Sequence, residues 1–210
     1  YRIPIFNQYP VIQLRGNFGV KDLMNGEYSY QCFTVNVFKR FYASIVGYSD
    51  VEVEAGRIWG DVPYPLMFIH NANQTYAYQL QAYNMMNFLE FVSDKYASVN
   101  YTHYFNGLFL NRIPLFKKLK FRELLSVKAL FGEVGDNNNP YKNHNLLAYP
   151  TDAAGNPLTF TLDGKPYVEA SVGVSNILKF LRVDMVKRMT YMDNPNAPSL
   201  GIRARFKFDF

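Results

Sequence analysis

The chain has 210 residues, of which 17% are aromatic and 19% charged, with a net charge of +5 and a mean hydropathy of −0.17. That length suffices for one domain with a large buried interior, while the lack of any apolar run near about 18 residues excludes an ordinary transmembrane helix. The basic residues are spread along alternating segments instead of gathered in one run, which argues against nucleic acid as a partner.

Cys32 is the single cysteine, so an internal disulfide is excluded and the redox compartment is not legible. The sequence opens on Tyr1 with neither an initiating Met nor a signal peptide, and it reads as a mature chain or, by preference, a fragment. Residues 1–10 carry two prolines and no period, an irregular lead-in. From 11 to 20, Ile12, Leu14, Gly16, Phe18 and Val20 alternate with Gln13, Arg15 and Asn17. Period two is the mark of a strand with one apolar side. Asn25-Gly26 then predicts a tight reversal. A second strand is predicted over 28–41, with Phe33, Val35 and Val37 opposite Cys32, Thr34 and Asn36. The third, 48–59, sets Val51, Val53 and Ala55 against Asp50, Glu52 and Glu54. Three acids on one face repel one another unless wetted or matched, so pairing with Arg182, Arg203 or Arg205 across an interior is expected.

Residues 60–94 have Pro63, Pro65, Asn71 and Asn73 without a period, a long loop. Within it Met85, Phe88, Leu89 and Val92 recur at helical spacing, so 83–91 is predicted as a short helix or lid, with a strand the competing reading. The fourth strand is 96–105, with Ala97, Val99, Tyr101, His103 and Phe105 against Ser98, Asn100, Thr102 and Tyr104. Residues 106–120 form a turn whose aromatics and lysines suit an interface. The fifth strand, 121–132, has Leu125, Val127, Ala129 and Phe131 opposite Ser126, Lys128 and Gly132. Residues 133–165 are the longest loop, with a hairpin turn expected at Asp163-Gly164. The sixth strand, 167–175, opposes Val168, Ala170, Val172 and Val174 to Glu169, Ser171, Gly173 and Ser175. The seventh, 180–191, opposes Leu181, Val183, Met185 and Met189 to Arg182, Asp184, Arg188 and Thr190, and Lys187 breaks its apolar parity.

The eighth strand, 199–210, is the clearest. Leu200, Ile202, Ala204, Phe206, Phe208 and Phe210 share one parity; Ser199, Gly201, Arg203, Arg205, Lys207 and Asp209 share the other. Alternation of this kind belongs to outer-membrane barrels, where apolar residues meet lipid and polar ones the lumen. The expected fold is therefore all-β, an antiparallel transmembrane β-barrel segment of about eight strands. Its expected lumen-facing charges are Asp50, Glu52, Glu54, Glu169, Arg182, Asp184, Arg188, Arg203, Arg205 and Lys207. Short turns belong at the periplasmic end, and residues 60–94 and 133–165 form large outer loops. Phe206, Phe208 and Phe210 resemble the C-terminal signal of such barrels, so the expected partners are outer-membrane lipid, the barrel-assembly machinery that reads the last strand, and other envelope proteins. The competing fold is a soluble antiparallel sheet or barrel with the apolar parity packed inside.

Several runs also carry a family resemblance: Glu54-Ala-Gly-Arg-Ile-Trp-Gly60, Val62-Pro-Tyr-Pro65, Glu90-Phe-Val-Ser-Asp-Lys-Tyr-Ala97, His103-Tyr-Phe-Asn-Gly107, Asn111-Arg-Ile-Pro-Leu115, Pro166-Tyr-Val-Glu169 and the end from Gly201 to Phe210. They are similar to the C-terminal portion of a Bacteroidota outer-membrane family of unknown function, usually preceded by a carboxypeptidase-regulatory-like module. The likeness covers nearly the whole chain, most clearly residues 48–131 and 166–210. It implies a barrel distantly like the BamA-type assembly-factor superfamily, of about sixteen strands, with this chain its second half. The periplasmic client-receiving domains of that superfamily are absent from the sequence, and the resemblance transfers no catalytic residue.

Searching for chemistry adds little. His70, His103 and His144 lie far apart, with no HExxH, P-loop, GxSxG or dinucleotide motif. His70 and His144 are expected to be solvated loop residues and His103 an interface or turn position. Ser98 or Ser126 with a histidine and an acid is the only hydrolase reading open. Met85, Met86 and Phe88 suggest a loop plug or ordinary packing. The expectation is a structural, assembly or transport-related barrel with no catalysis, cofactor or metal; a channel with a polar lumen and a membrane-embedded hydrolase are the alternatives.

Overall fold

The computed structural model describes residues 9–162 and 164–206. Lys207, Phe208, Phe210, Asp163 and most of the lead-in lie outside the described residues. The fold is all-β. Eight strands form one antiparallel sheet in the order β1 (Val11–Gly19), β2 (Tyr30–Tyr42), β3 (Tyr48–Trp59), β6 (Lys95–Tyr104), β7 (Arg122–Glu133), β8 (Tyr167–Ile177), β9 (Leu181–Arg188), β10 (Leu200–Phe206). Two short strands, β4 (Phe68–Ile69) and β5 (Val92–Ser93), pair separately inside the 60–94 connection. Every predicted strand is present, with ends shifted by a few residues. The sheet is not closed: among the described residues β1 and β10 do not pair with each other.

Register follows the alternation. Val53 lies opposite Val37 on β2 and Val99 on β6. Leu125 faces Val172, which faces Met185, which faces Ile202. One continuous sheet face is therefore apolar, and it is exposed: Ile202 is 66% exposed, Phe206 63% and Val172 50%. The soluble alternative placed these residues in a dry centre, and they are not there. Lys187 shares the exposed parity without disturbing the strand.

The opposite face carries the polar parity, and it is the buried one over β6 to β9. Ser98, Ser126, Lys128, Glu169, Ser171, Arg182, Asp184 and Arg188 are all buried. What covers them is the 60–94 connection, which folds back over this face instead of extending away. Near the loop-bearing end the same parity turns apolar. Cys32 and Ile58 pack with Val62, Met67, Val92 and Tyr149, and Leu130 and Tyr167 pack with Tyr83, Met86, Phe91 and Leu162. These clusters fix the connection to the sheet by ordinary apolar burial.

Three expectations for the connections need correction. Residues 83–91 form turns and isolated bridges, not a helix. Met85 is 1% exposed and Phe88 65%, so the helical spacing did not mark one packed side. The one α-helix among the described residues is α1 (Pro114–Leu119), a six-residue element in the β6–β7 connection. Asn25-Gly26 does not make a two-residue hairpin. Asn25 (φ 62) ends a 3-10 turn that begins after Asp22 (φ 65), whose N–H bonds the Gly26 carbonyl at 2.8 Å. Asp163 lies outside the described residues; Gly164 has φ +74, and among the described residues no strand pair flanks it.

Connection length separates the two ends of the sheet. At one end residues 43–47 and 178–180 are tight, and 105–121 hold α1; the other end carries 60–94 and 134–166. The 43–47 turn depends on Gly47, at φ +104, where any Cβ would sit on the Tyr104 carbonyl oxygen of the neighbouring strand.

Candidate functional site

The charged side chains of β7, β8 and β9 meet the inner surface of the 60–94 connection, and nearly every donor and acceptor there is used. Arg188, fully buried, grips Glu90 with both arms of its guanidinium at 2.6 and 2.9 Å. Its remaining hydrogens go to the carbonyls of Met85, Thr190 and Tyr191, so all of the fork is satisfied. Glu90 in turn accepts the Asn87 N–H and the Asn194 side-chain amide, each at 2.8 Å. The guanidinium also lies over the Tyr167 ring, 5.0 Å from its centroid.

Glu169 works from the sheet towards the loop. Its two oxygens accept the N–H groups of Asn84 and Met85 at 2.9 and 3.0 Å, and the Tyr167 hydroxyl adds a bond of 3.2 Å. Lys128, 3.9 Å from Glu169, donates to the carbonyls of Gln79 and Ala82 and lies over the Tyr78 ring. Arg182 pairs with Asp184 of its own strand at 2.7 Å and also lies over the Tyr78 ring, 4.4 Å from the centroid. Arg203 donates to the Asn84 carbonyl at 3.0 Å. Asn84, completely buried, ties the turn to itself through Asn73, Gln79 and Ala82. The loop is thus held as a plug by backbone groups that the sheet's charges find in it.

The connection also reaches the edge of the sheet. The Tyr78 N–H bonds the Ala204 carbonyl at 2.7 Å and the Ala204 N–H bonds the Tyr76 carbonyl at 2.9 Å, a short parallel pairing on β10. Gly201 makes room for it, since a Cβ there would collide with the end of Met85.

The acids of β3 do not meet the β10 arginines. Four strands separate them in the sheet, and each finds a nearer partner. Asp50 pairs with Arg40 at 2.6 Å on the adjoining strand. Glu52 and Glu54 share the Asn36 side-chain amide, and Glu54 accepts the Tyr96 hydroxyl. Arg205 lies on the polar parity of β10 without joining these acids. Between this stretch and the connection an open hollow of about 720 Å³ remains, lined among others by Arg15, Glu52, Glu54, His70 and Asn100. β1 closes nothing: Gln13, Arg15 and Asn17 are exposed along with its apolar residues.

The histidines divide. His144 is exposed as expected, whereas His70 is buried and not solvated. Its Nε2 meets the Ser93 hydroxyl at 3.0 Å, and burial pushes its pKa down to about 3. Ser98 and Ser126 do not join a histidine. Ser126 bonds Thr102 and Tyr78 instead. It is Ser49, on the opposite sheet face, that lies 2.7 Å from His103 Nδ1, while Nε2 meets the Val46 carbonyl at 3.0 Å. With Nε2–H donating to that carbonyl, Nδ1 is the acceptor and the Ser49 hydroxyl the donor. Sequence pattern missed this pair because the two residues are neighbours only through the β3–β6 register. Among the described residues no group of three or more metal-ligating side chains converges.

A family model described as the C-terminal domain of a family of unknown function (DUF5686) matches residues 1–144. The match stops before β8, so it does not extend to residues 166–210, which also carry the sequence resemblance. No curated protein and no solved structure matches the chain.

Two predictions follow from the plug. Glu90→Gln or Arg188→Met leaves one buried charge alone and costs about 3–5 kcal/mol. The pair Glu90→Leu/Arg188→Met recovers much of that loss, because both charges leave together; denaturant titration across the double-mutant cycle reads the coupling. His70 is held neutral in the folded state, so protonating the unlatched form withdraws stability as pH falls below about 6.5. Docking of residues 60–94 should weaken by about 2 kcal/mol between pH 7.5 and pH 5. That part of the pH dependence should vanish in His70→Asn, as read by hydrogen exchange of the segment.

Proposed function

The chain belongs to that family of unknown function, and from this premise we propose that it is a segment of an integral outer-membrane β-barrel whose polar interior is occupied by its own loop. The single observation behind the proposal is the inversion of the sheet: the apolar parity is exposed while the charged parity of β7–β9 is buried under residues 60–94. Water rewards the opposite arrangement, since exposed apolar area costs roughly 25 cal/mol per Å². Hydrocarbon outside and a polar interior make it favourable.

In this reading the short turns 43–47 and 178–180 face the periplasm and the long connections face outward. The unclosed sheet is continued by strands from residues outside these 210 or from another chain, joining at β1, whose exposed polar side chains have no cover. A barrel of about sixteen strands, as in the BamA-type superfamily, accommodates this half. The C-terminal strand is the part the barrel-assembly machinery reads. With Arg188, Lys128 and Glu169 committed to the plug, the protein is not a constitutively open pore over β7–β10. It acts through its wall and outer loops, in a structural or assembly role within an envelope complex, without chemistry of its own. Transport through the hollow beside β1–β3 is the variant of this role that a displaced plug would permit.

Expression followed by alkaline extraction tests the location: the protein should stay with the outer-membrane fraction and require detergent. Val172→Arg, at a half-exposed site that a soluble sheet would tolerate, should destabilise the inserted protein by about 2–4 kcal/mol in vesicle unfolding. A neutral effect together with a detergent-free soluble protein would refute the proposal.

One observation favours the hydrolase reading, the Ser49–His103 contact of 2.7 Å. The third position is held by the Val46 carbonyl, which lacks the charge that stabilises an imidazolium in the familiar triad. A serine-directed fluorophosphonate should therefore leave Ser49 unlabelled; labelling abolished by Ser49→Ala would install that reading instead.

A further inference from the structure

On the exposed apolar face a groove of about 680 Å³ lies towards the short-turn end of the sheet. Leu125, Val172, Val183 and Ile202 form its walls, and Phe109 and Ile177 stand where it nears the turns. That size falls within the range of cavities that enclose whole small molecules. Its lining is apolar but for Glu123, whose Oε1 accepts the Phe109 N–H at 2.7 Å.

The end near Phe109 and Ile177 is also where cations collect. α1 directly follows the 3-10 turn Leu110–Arg112 and presents Lys117 and Lys118, with Lys120 just beyond; the helix contains no acid to neutralise them. The Lys120 carbonyl accepts the Asn176 side-chain amide at 2.7 Å, and Asn176 precedes Ile177 in the groove wall. Lys179 follows in the same turn. Leu115 is 62% exposed and Leu119 47%, so α1 shows water both greasy and cationic side chains. Apolar groove and lysine cluster are thus continuous, the one ending where the other begins.

We infer that this groove and the lysines of the β6–β7 connection together form a docking site for an anionic phospholipid, with acyl chain in the groove and phosphate among Lys117, Lys118 and Lys120. The inference rests on the membrane reading above. Charge complementarity selects this occupant: a zwitterionic headgroup gains little from three lysines that pair with no acid among the described residues, whereas each is worth about a fivefold preference at an anionic surface. Glu123 repels a phosphate from the groove itself, which keeps the headgroup out among the lysines and leaves the cleft to hydrocarbon.

The test reconstitutes the full-length protein in phosphatidylcholine vesicles containing traces of spin-labelled phosphatidylglycerol or spin-labelled phosphatidylcholine. The motionally restricted spectrum counts lipid at the protein boundary. Phosphatidylglycerol should be restricted in preference by on the order of tenfold at low salt, the preference shrinking as salt screens it. K117Q/K118Q/K120Q should abolish the preference. Val172→Trp, which fills the groove, should reduce it, and K165Q at the opposite end should leave it intact. Equal restriction of both lipids by the unmodified protein overturns the inference while leaving the membrane reading standing. A protein that fails to enter the vesicles, with no restricted signal from either lipid, overturns both.

Discussion

Four cationic side chains on one face of the sheet, Lys128, Arg182, Arg188 and Arg203, set the terms for everything packed against them. A buried charge without a partner costs several kcal/mol, and among the described residues β8 and β9 supply this patch with two acids, Glu169 and Asp184. The remaining demand is met by the 60–94 connection, mostly through main-chain carbonyls: Gln79, Ala82, Asn84 and Met85 all accept from the sheet. Glu90 is the one acid the loop contributes to this patch, and it goes to the most buried of the cations. The loop's irregular course follows from that demand. A helix would have consumed these carbonyls internally, and Lys128 and Arg203 would have lost the acceptors they use.

The plug and the apolar clusters divide the work of holding the connection down. Towards the loop-bearing end, Ile58, Leu130 and Tyr167 turn the polar parity apolar and anchor residues 62–92 mainly by burial. Further along the strands the contacts become ionic and directional, which sets the loop's position over particular residues. Apolar burial is tolerant of small shifts, while the bidentate Arg188–Glu90 pair and the two N–H groups on Glu169 are not.

The opposite face tells the same physical story from outside. Ile202, Phe206, Val172 and Met185 are exposed in a continuous band across neighbouring strands. Single exposed apolar residues are ordinary, but a contiguous band marks a surface meant for a partner or for lipid. The Ser49–His103 contact sits on this side at the end of the sheet, tied into the 43–47 turn through the Val46 carbonyl. Its geometry serves the turn: Gly47, with its backbone against Tyr104, and His103 lock the same corner.

Strand existence, order along the chain and the identity of the apolar face were legible from sequence, because side-chain direction alternates strictly with a period of two whatever the surroundings. Val172, Phe206 and Asp184 each fell on the side their parity assigned. Helical spacing over 83–91 misled, since Asn84 and Met85 give their N–H groups to Glu169, a partner 84 or 85 residues away that no local pattern contains. The pairing of Asp50 or Glu54 with Arg203 misled for the same reason: matching charge ladders carry no information on which strands are neighbours, and four strands lie between these two. His70 looked like a loop residue and proved buried, because depth inside a folded connection depends on what that connection packs against. The sequence by itself determined which side chains share a face, since that is a property of the local backbone. Only the tertiary structure decided that the charged face is the covered one and that a loop covers it, since burial is settled by contacts between residues far apart in the chain.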